Sequence, residues 1–256
     1  MSRGCQRIEI LGTPLHNVSF SEAADTILRL ARNAKPSYVV TPNVDHIMRL
    51  RRSPSLRHIY ENAALSLADG MPVIWASRLL GMPLKEKVSG SDLFVELCRR
   101  SAAEGLRVFL LGGAPGAAEK AKEVLEAKYE GLEIAGTLAP AIDEHGCSPD
   151  DGEIIGAINA GKPHILFVGL GAPKQELWIT NHIERLEAGV SIGVGISFDF
   201  VAGTVGRAPR WMQKAGLEWF WRLMQEPRRL WKRYLVDDLP FVWLVIANRL
   251  FRKSFS

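Results

Sequence analysis

The sequence predicts an α/β fold, a Rossmann-like and largely parallel sheet covered by helices, with a helical appendage at the C-terminal end. Three observations carry this. Five short apolar, partly β-branched runs, "SYVV" (37–40), "ALSLA" (64–68), "RVFLL" (107–111), "HILFV" (164–168) and "VSIGVG" (190–195), alternate with amphipathic stretches at 91–104, 114–129, 150–160 and 173–187. Strands separated by helical segments pair in parallel and are covered on both faces. Each run also ends in glycine or a short polar residue. Finally, the composition changes near Arg207-Ala208-Pro209, where a basic, aromatic, helical tail begins. The expected division is therefore a core at 1–207 and an appendage at 208–256.

In chain order, "MSRGCQRIEILGTPLHNVSF" alternates like a hairpin and lacks the apolar stretch of a signal peptide. "SEAADTILRLARN" (21–33) has helical spacing, with Ser21 as cap and Glu22 in the first turn. "SYVV" leads into Thr41-Pro42-Asn43, and "ALSLA" into Asp69-Gly70. Asp69 precedes a turn into a helix, so it has two readings. It is a helix cap, or it is a general base facing a cleft, since an ordinary Asp is ionised at neutral pH. "VSGSDLF" (88–94) offers Ser91 or Asp92 as a cap and Gly90 for close backbone approach. "RVFLL" ends at Gly112-Gly113, and "VSIGVG" leads to Ser197-Phe198-Asp199. In open α/β sheets ligands bind outside the carboxyl ends of the strands. Five such ends, with the glycines Gly70, Gly112 and Gly171 among them, favour a ligand cleft over plain turn chemistry.

"GLGAPKQELW" (169–178) deserves weighing against known loops. Its first two glycines match a dinucleotide fingerprint, but the third glycine position holds Lys174, and no acidic strand end follows about 20 residues on. "GGAPGAAEK" lacks the Gly-Lys-Ser/Thr of a phosphate-binding P-loop. Pro173 suits the first helical position, and free N–H groups there favour an anion, with Lys174 adding positive charge. A phosphate or sugar site accounts for the Lys-Gln-Glu run better than an ordinary strand–turn–helix does.

Three cysteines, Cys5, Cys98 and Cys147, form no Cys-x-x-Cys pair, which suits a reducing compartment. His46 has no His or Cys at metal spacing, and no Asp-x-Asp occurs, so the site is expected to use no metal and no cofactor. Residues 210–256 carry ten Lys or Arg against four Asp or Glu, while the whole chain is only +4, so the body is slightly acidic. The same segment holds five of the seven tryptophans. "LPFVWLVIA" is far shorter than the roughly 20 residues that span a bilayer. An interfacial surface on anionic lipid fits, or else a solvated helical end with Trp packed on the core. No RNA-binding signature accompanies the basic residues, so nucleic acid is not an expected partner.

The motifs "TPNVDHIMRLRR", "LADGMPVIWASRLLG", "VSGSDLF", "RVFLLGGAPGAAEKA", "ILFVGLGAPKQELWI" and "FDFVAGTVGRAPRWMQKAGLEWFWRLMQEPRRLWKRY" run in order along nearly the whole chain. Together they resemble the WecG/TagA/CpsF glycosyltransferases. The resemblance implies inverting transfer of a sugar, often N-acetylmannosamine or its uronic acid, from a UDP donor to an undecaprenyl-diphosphate-linked saccharide. It places the enzyme at the cytoplasmic face of the membrane, peripherally bound, and leaves room for a homo-oligomer. It assigns Asp69 as the base, Thr41, Asn43 and Gln175 to the sugars, and Asp199 to the uridine. Arg222 and Arg229 would close over the diphosphate, with Lys232 or Arg233 as a third cation. "GTLAPAIDEHGCSPDDGE" departs from the family pattern, and "GISFDF" has Ile-Ser where Gly-Ala or Gly-Ser is commoner. Two other classes stand beside this one: a nicotinamide-dependent oxidoreductase, on the glycines, and a non-enzymatic module that binds anionic surfaces, on the tail.

Overall fold

Leu11-Gly12 turns β1 (Arg7–Ile10) back on β2 (Thr13–His16) in an antiparallel hairpin, as the alternation predicts. The computed structural model describes residues 6–253, with only the backbone described at 210, 214, 229, 235 and 251–253. Cys5 lies outside the described residues. Helix α1 (Phe20–Ala31) follows, and its cap is Ser19, not the expected Ser21. Ser19 Oγ accepts from Glu22 N at 3.2 Å while a Glu22 carboxylate oxygen accepts from Ser19 N at 2.7 Å. This reciprocal box satisfies two orphan donors at once, which Ser21 could not do.

The chain then alternates: β3 (Ser37–Val40), α2 (Val44–Leu50), α3 (Pro54–Asn62), β4 (Leu65–Ser66), α4 (Met71–Leu79), α5 (Gly90–Glu104), β5 (Arg107–Gly112) and α6 (Ala117–Lys128). It continues through β6 (Glu133–Leu138), α7 (Asp151–Ala160), β7 (Ile165–Gly169), α8 (Lys174–His182), β8 (Val190–Gly193) and α9 (Ser197–Ala202). The six strands β3–β8 form one parallel sheet in the order β4-β3-β8-β7-β5-β6. Five of them are the predicted runs. The sixth, β6, falls just before and within the segment that departs from the family pattern. Its residues alternate weakly, and Gly136 sits against the Phe109 ring, where a Cβ would come within 2.5 Å of a ring carbon. Packing on β5 makes this edge strand, not its own propensity.

The sheet has apolar cover on both faces. Ile27, Phe94, Leu97, Ala121 and Phe198, from α1, α5, α6 and α9, pack on one face. Ile155, Ile158, Trp178 and Ile179, from α7 and α8, pack on the other. The Phe94 ring meets Phe167 edge-on at 4.8 Å and Phe198 at 5.2 Å, a favoured aromatic geometry. β5 connects outward to β6, while its neighbour β7 connects the opposite way to β8. Their carboxyl ends therefore flank the point where the connections diverge, the place where such sheets bind ligands.

Beyond α9 come α10 (Arg210–Lys214), α11 (Glu218–Gln225), α12 (Pro227–Lys232), a π-helical turn (Arg233–Asp237) and α13 (Leu239–Lys253). The tail is helical, as expected. Its last helix nevertheless returns to the body. Phe241 and Val245 are buried with Ile10, Leu15, Ile47, Val73 and Ile74 of the hairpin, α2 and α4.

Candidate active site

Thr41, at the end of β3, is buried, and its Oγ1 donates to the Gly193 carbonyl at the end of β8, 3.4 Å away. The Pro42 carbonyl accepts from Asp69 N at 3.0 Å, which brings the ends of β3 and β4 together. Asp69 does not cap the following helix. The cap position of α4 is Gly70, at φ 103°, with no side-chain bond. The Asp69 carboxylate instead faces the Gly90 N–H at the start of α5. α5 begins after Ser89, so neither Ser91 nor Asp92 is its cap. Ser91 Oγ accepts from Ser197 Oγ at 2.9 Å, and Asp92 pairs with Arg207 at 2.7 Å.

Asp69 is half-buried. Its carboxyl is pushed up to about 6, first by burial; the charge of Lys87 and the Gly90 N–H oppose this, and Glu218 and Asp92 reinforce it. At neutral pH it is largely ionised yet more basic than a solvated Asp, the condition for a general base. Lys87 Nζ bonds Glu218 Oε2 of α11 at 2.9 Å, and Arg207 lies 3.8 Å from Glu218 Oε1. The appendage thus contacts the body beside Asp69. Sequence reasoning missed Lys87, Arg207 and Glu218, because nothing local distinguishes them from surface charges.

A second junction forms around Asn43. It caps α2 in a reciprocal pair, with His46 Nδ1 accepting from Asn43 N at 3.0 Å and Asn43 Oδ1 accepting from His46 N at 3.3 Å. His46 is a core histidine, its pKa driven down to about 4 by burial, so it is neutral. Arg233 Nη2 reaches Asn43 Oδ1 at 3.5 Å and Asp45 Oδ2 at 3.3 Å, while Arg49 Nε holds Asp45 Oδ1 at 3.0 Å. Of the two expected third cations, Arg233 is the one beside Asn43, and Lys232 is exposed. Arg222 is partly buried, and its charge bears on Tyr234, whose ring lies 5.6 Å from the Arg233 guanidinium. The Arg229 side chain lies outside the described residues.

The diverging ends of β5 and β7 meet through glycine. Gly112 pairs with Gly169, and a Cβ on Gly112 would come within 2.9 Å of the Gly169 backbone. Such an approach excludes any larger residue. Gly171 faces open space, and α8 begins after Pro173, which holds the cap position rather than the expected first helical one. A cavity of about 570 Å³ opens here, lined by Arg49, Glu144, His145, Leu170, Ala172, Pro173 and Lys174. Lys174 Nζ donates to the Ile142 carbonyl at 2.8 Å, so it ties down the 139–150 loop as well as lining the cavity. Gln175 is buried. Its Oε1 accepts from Gly195 N at 3.0 Å, next to Gly193 and Thr41. Asp199 is buried in the first turn of α9, with Thr204 Oγ1 3.5 Å from its Oδ1. A smaller cavity, about 250 Å³, lies between the hairpin and α13, and neither cavity is lined by Thr41, Asn43, Asp69, Gln175 or Asp199. Among the described residues, no group of three or more His, Cys, Asp or Glu is placed to hold a metal ion.

The appendage leaves large apolar side chains exposed. Trp211, Met224, Trp231, Leu239, Val242, Trp243 and Leu250 of the appendage are each more than half exposed. Trp75 and Leu79 of α4, which packs against α13, are also well exposed. Among the described residues, no helix is long and apolar enough to cross a membrane.

Polar side chains gathered at strand ends, a raised carboxyl at Asp69 and an appendage arginine reaching Asn43 are parts of a group-transfer site. Comparison with known proteins says which kind. The chain is 33% identical over 201 residues, 78% of its length and 76% of the relative's, to the N-acetylglucosaminyldiphosphoundecaprenol N-acetyl-beta-D-mannosaminyltransferase of Bacillus spizizenii. It is 29% identical over 245 residues, 94% of its length and 92% of the relative's, to the protein of the same name in Staphylococcus aureus. The model of the glycosyl transferase WecG/TagA/CpsF family matches residues 8–255, and the chain belongs to that family of glycosyltransferases.

Proposed function

We propose that the enzyme moves N-acetylmannosamine, its uronic acid or a related hexose from UDP to an undecaprenyl-diphosphate-linked saccharide, with inversion, in cell-surface polysaccharide synthesis. The observation that carries this reading is Asp69, set at the ends of β3 and β4 against the start of α5, with its carboxyl pushed up to about 6. Asp69 takes the proton of the acceptor hydroxyl as that oxygen attacks the anomeric carbon. The bond from the anomeric carbon to the diphosphate oxygen breaks, and UDP leaves with the electron pair. Thr41, Asn43 and Gln175 orient the sugars, and the strand-end glycines Gly70, Gly112 and Gly171 let the backbone approach the donor. Asp199 is assigned to the uridine. Arg222 and Arg229, with Arg233, offset the charge growing on the diphosphate, so that no divalent metal is required. The oxidoreductase and the non-enzymatic module give way to this reading.

The exposed tryptophans and basic excess of the appendage support peripheral attachment to anionic membrane at the cytoplasmic face, where the lipid-linked acceptor resides. The division at 207/208 is proposed as functional. The burial of Phe241 and Val245 argues against two separately folding units. The test is a screen of UDP-hexoses against a short lipid-diphosphate-sugar acceptor, with product anomers resolved by NMR. Transfer with inversion from a UDP-hexosamine is expected. Reactivity with no UDP-sugar, or retention at the anomeric centre, overturns the proposal.

A further inference from the structure

Gln175 and Glu176 begin α8 side by side, and both side chains are almost wholly buried, at 3% and 2% exposure. Gln175 Nε2 donates to Glu176 Oε1 at 2.8 Å, while Gln175 Oε1 accepts from Gly195 N at 3.0 Å. The two bonds act on opposite ends of one amide. A 180° flip would set the amide nitrogen against the Gly195 N–H and its oxygen against the Glu176 carboxylate. Both contacts would become repulsive, so a single orientation survives. The strand end is shaped to the same purpose. A Cβ on Gly193 would lie 2.5 Å from Gln175 Nε2, and the Gly193 carbonyl accepts from Thr41.

We infer that Glu176 is a positioning residue, which fixes the Gln175 amide against the Gly193–Gly195 strand end and leaves one Nε2 hydrogen for a substrate hydroxyl or carbonyl oxygen. The inference rests on the reading that Gln175 faces a sugar. A buried carboxyl is costly unless its oxygens are used, and filling space alone would be better served by an apolar side chain. The buried Tyr60 hydroxyl donates to the same carboxylate, and burial raises the carboxyl against the opposing effects of Gln175, Tyr60 and Arg49. The carboxyl is thus held between Tyr60 and Gln175, and its bond to Gln175 is the one that reaches the strand ends.

The test pairs transfer kinetics with a probe that needs no turnover. Glu176→Met fills the volume without accepting a hydrogen bond; Glu176→Gln keeps an acceptor. In Glu176→Met, kcat/KM should fall by about tenfold to a hundredfold, because misplacement of this order costs as much. Glu176→Gln should restore most of it. In a Gln175→Ala background, Glu176→Met should add no further loss. Gly193→Ala should reproduce the loss by displacing the amide. Side-chain amide NMR signals of Gln175, assigned with Gln175→Ala, should shift in folded Glu176→Met and stay near the wild-type position in Glu176→Gln. Unchanged signals in Glu176→Met, or an additive loss in the double variant, would overturn the inference. If the wild type transfers no UDP-hexose, the functional reading fails instead, and the NMR comparison still decides the role of Glu176.

Discussion

The strand ends and the C-terminal segment meet through Lys87–Glu218 and Asn43–Arg233 but are built on opposite principles. At the strand ends polar groups are buried or half-buried and paired: Thr41 on Gly193, Gln175 between Gly195 and Glu176, Asp69 against Gly90. In the C-terminal segment large apolar groups stay exposed, with Trp243 at 70%, Met224 at 67% and Trp211 at 65%. Preorganised polar groups suit chemistry, and exposed indoles beside cations suit a lipid boundary. α13 shows both demands within one helix. Phe241 and Val245 face the body, while Val242, Trp243 and Ile246 face outward.

The largest effect expected is at Asp69. Asp69→Asn should lower turnover by roughly 10²–10⁴ with little change in UDP-sugar binding. The wild-type rate should fall as pH drops through about 6, where the base takes up its proton. The stability effect has the opposite sense. The folded pKa lies above the unfolded value of 3.8, so the carboxyl is a cost to folding that develops as pH rises from that value to about 6. Asp69→Asn should therefore melt higher than wild type at pH 7 and lose that advantage below pH 4. Near-normal transfer by this variant would remove Asp69 from catalysis and leave the strand ends without a base.

Next in size is the buried side of α13. Phe241→Ala should cost about 3–5 kcal/mol of stability by denaturant unfolding, as a large cavity in a packed cluster does. The buried side of α13 makes the segment from about residue 236 onward part of the body's core. Truncation there should expose the hairpin cluster and destabilise the body. An unchanged midpoint in Phe241→Ala would mean α13 does not pack on the body in solution.

Arg222→Ala and Arg229→Ala should lower transfer to a soluble acceptor analogue by about tenfold or more, the loss of a charge-assisted bond, while flotation with anionic vesicles is kept. Trp243→Ala should do the reverse. Its unfolding should stay within about 0.5 kcal/mol of wild type while vesicle binding weakens. If each substitution affected both assays alike, the separation between chemistry and attachment would fail. The smallest effect expected is from exhaustive chelation, which should leave the rate unchanged. Loss in EDTA restored by manganese or magnesium would show that arginines alone do not offset the leaving group.

Much of the site was legible because its signals are local. A strand that stops at Thr41, Asp69, Gly112, Gly169 or Gly195 announces its carboxyl end through the residues themselves. The capping box of α1 was equally local, a Ser19-x-x-Glu22 pattern passed over for Ser21. β6 was not legible, since Gly136 enters the sheet only because the Phe109 ring needs that space. Nor was Lys87 beside Glu218, a pair 131 residues apart in the chain.

By itself, then, the sequence determined the alternation of strands and helices, the polar and glycine-rich strand ends, and the charge and tryptophan bias of the tail. Each is a matter of periodicity or composition within a few neighbouring residues. Only the tertiary structure decided that Asp69 faces α5 rather than capping α4, that Arg233 reaches Asn43, that Glu176 is buried against Gln175, and that α13 returns to the hairpin. These depend on which surfaces lose water together. Burial raises the Asp69 carboxyl and makes the Glu176 oxygens worth pairing, and no residue carries its burial in its own identity.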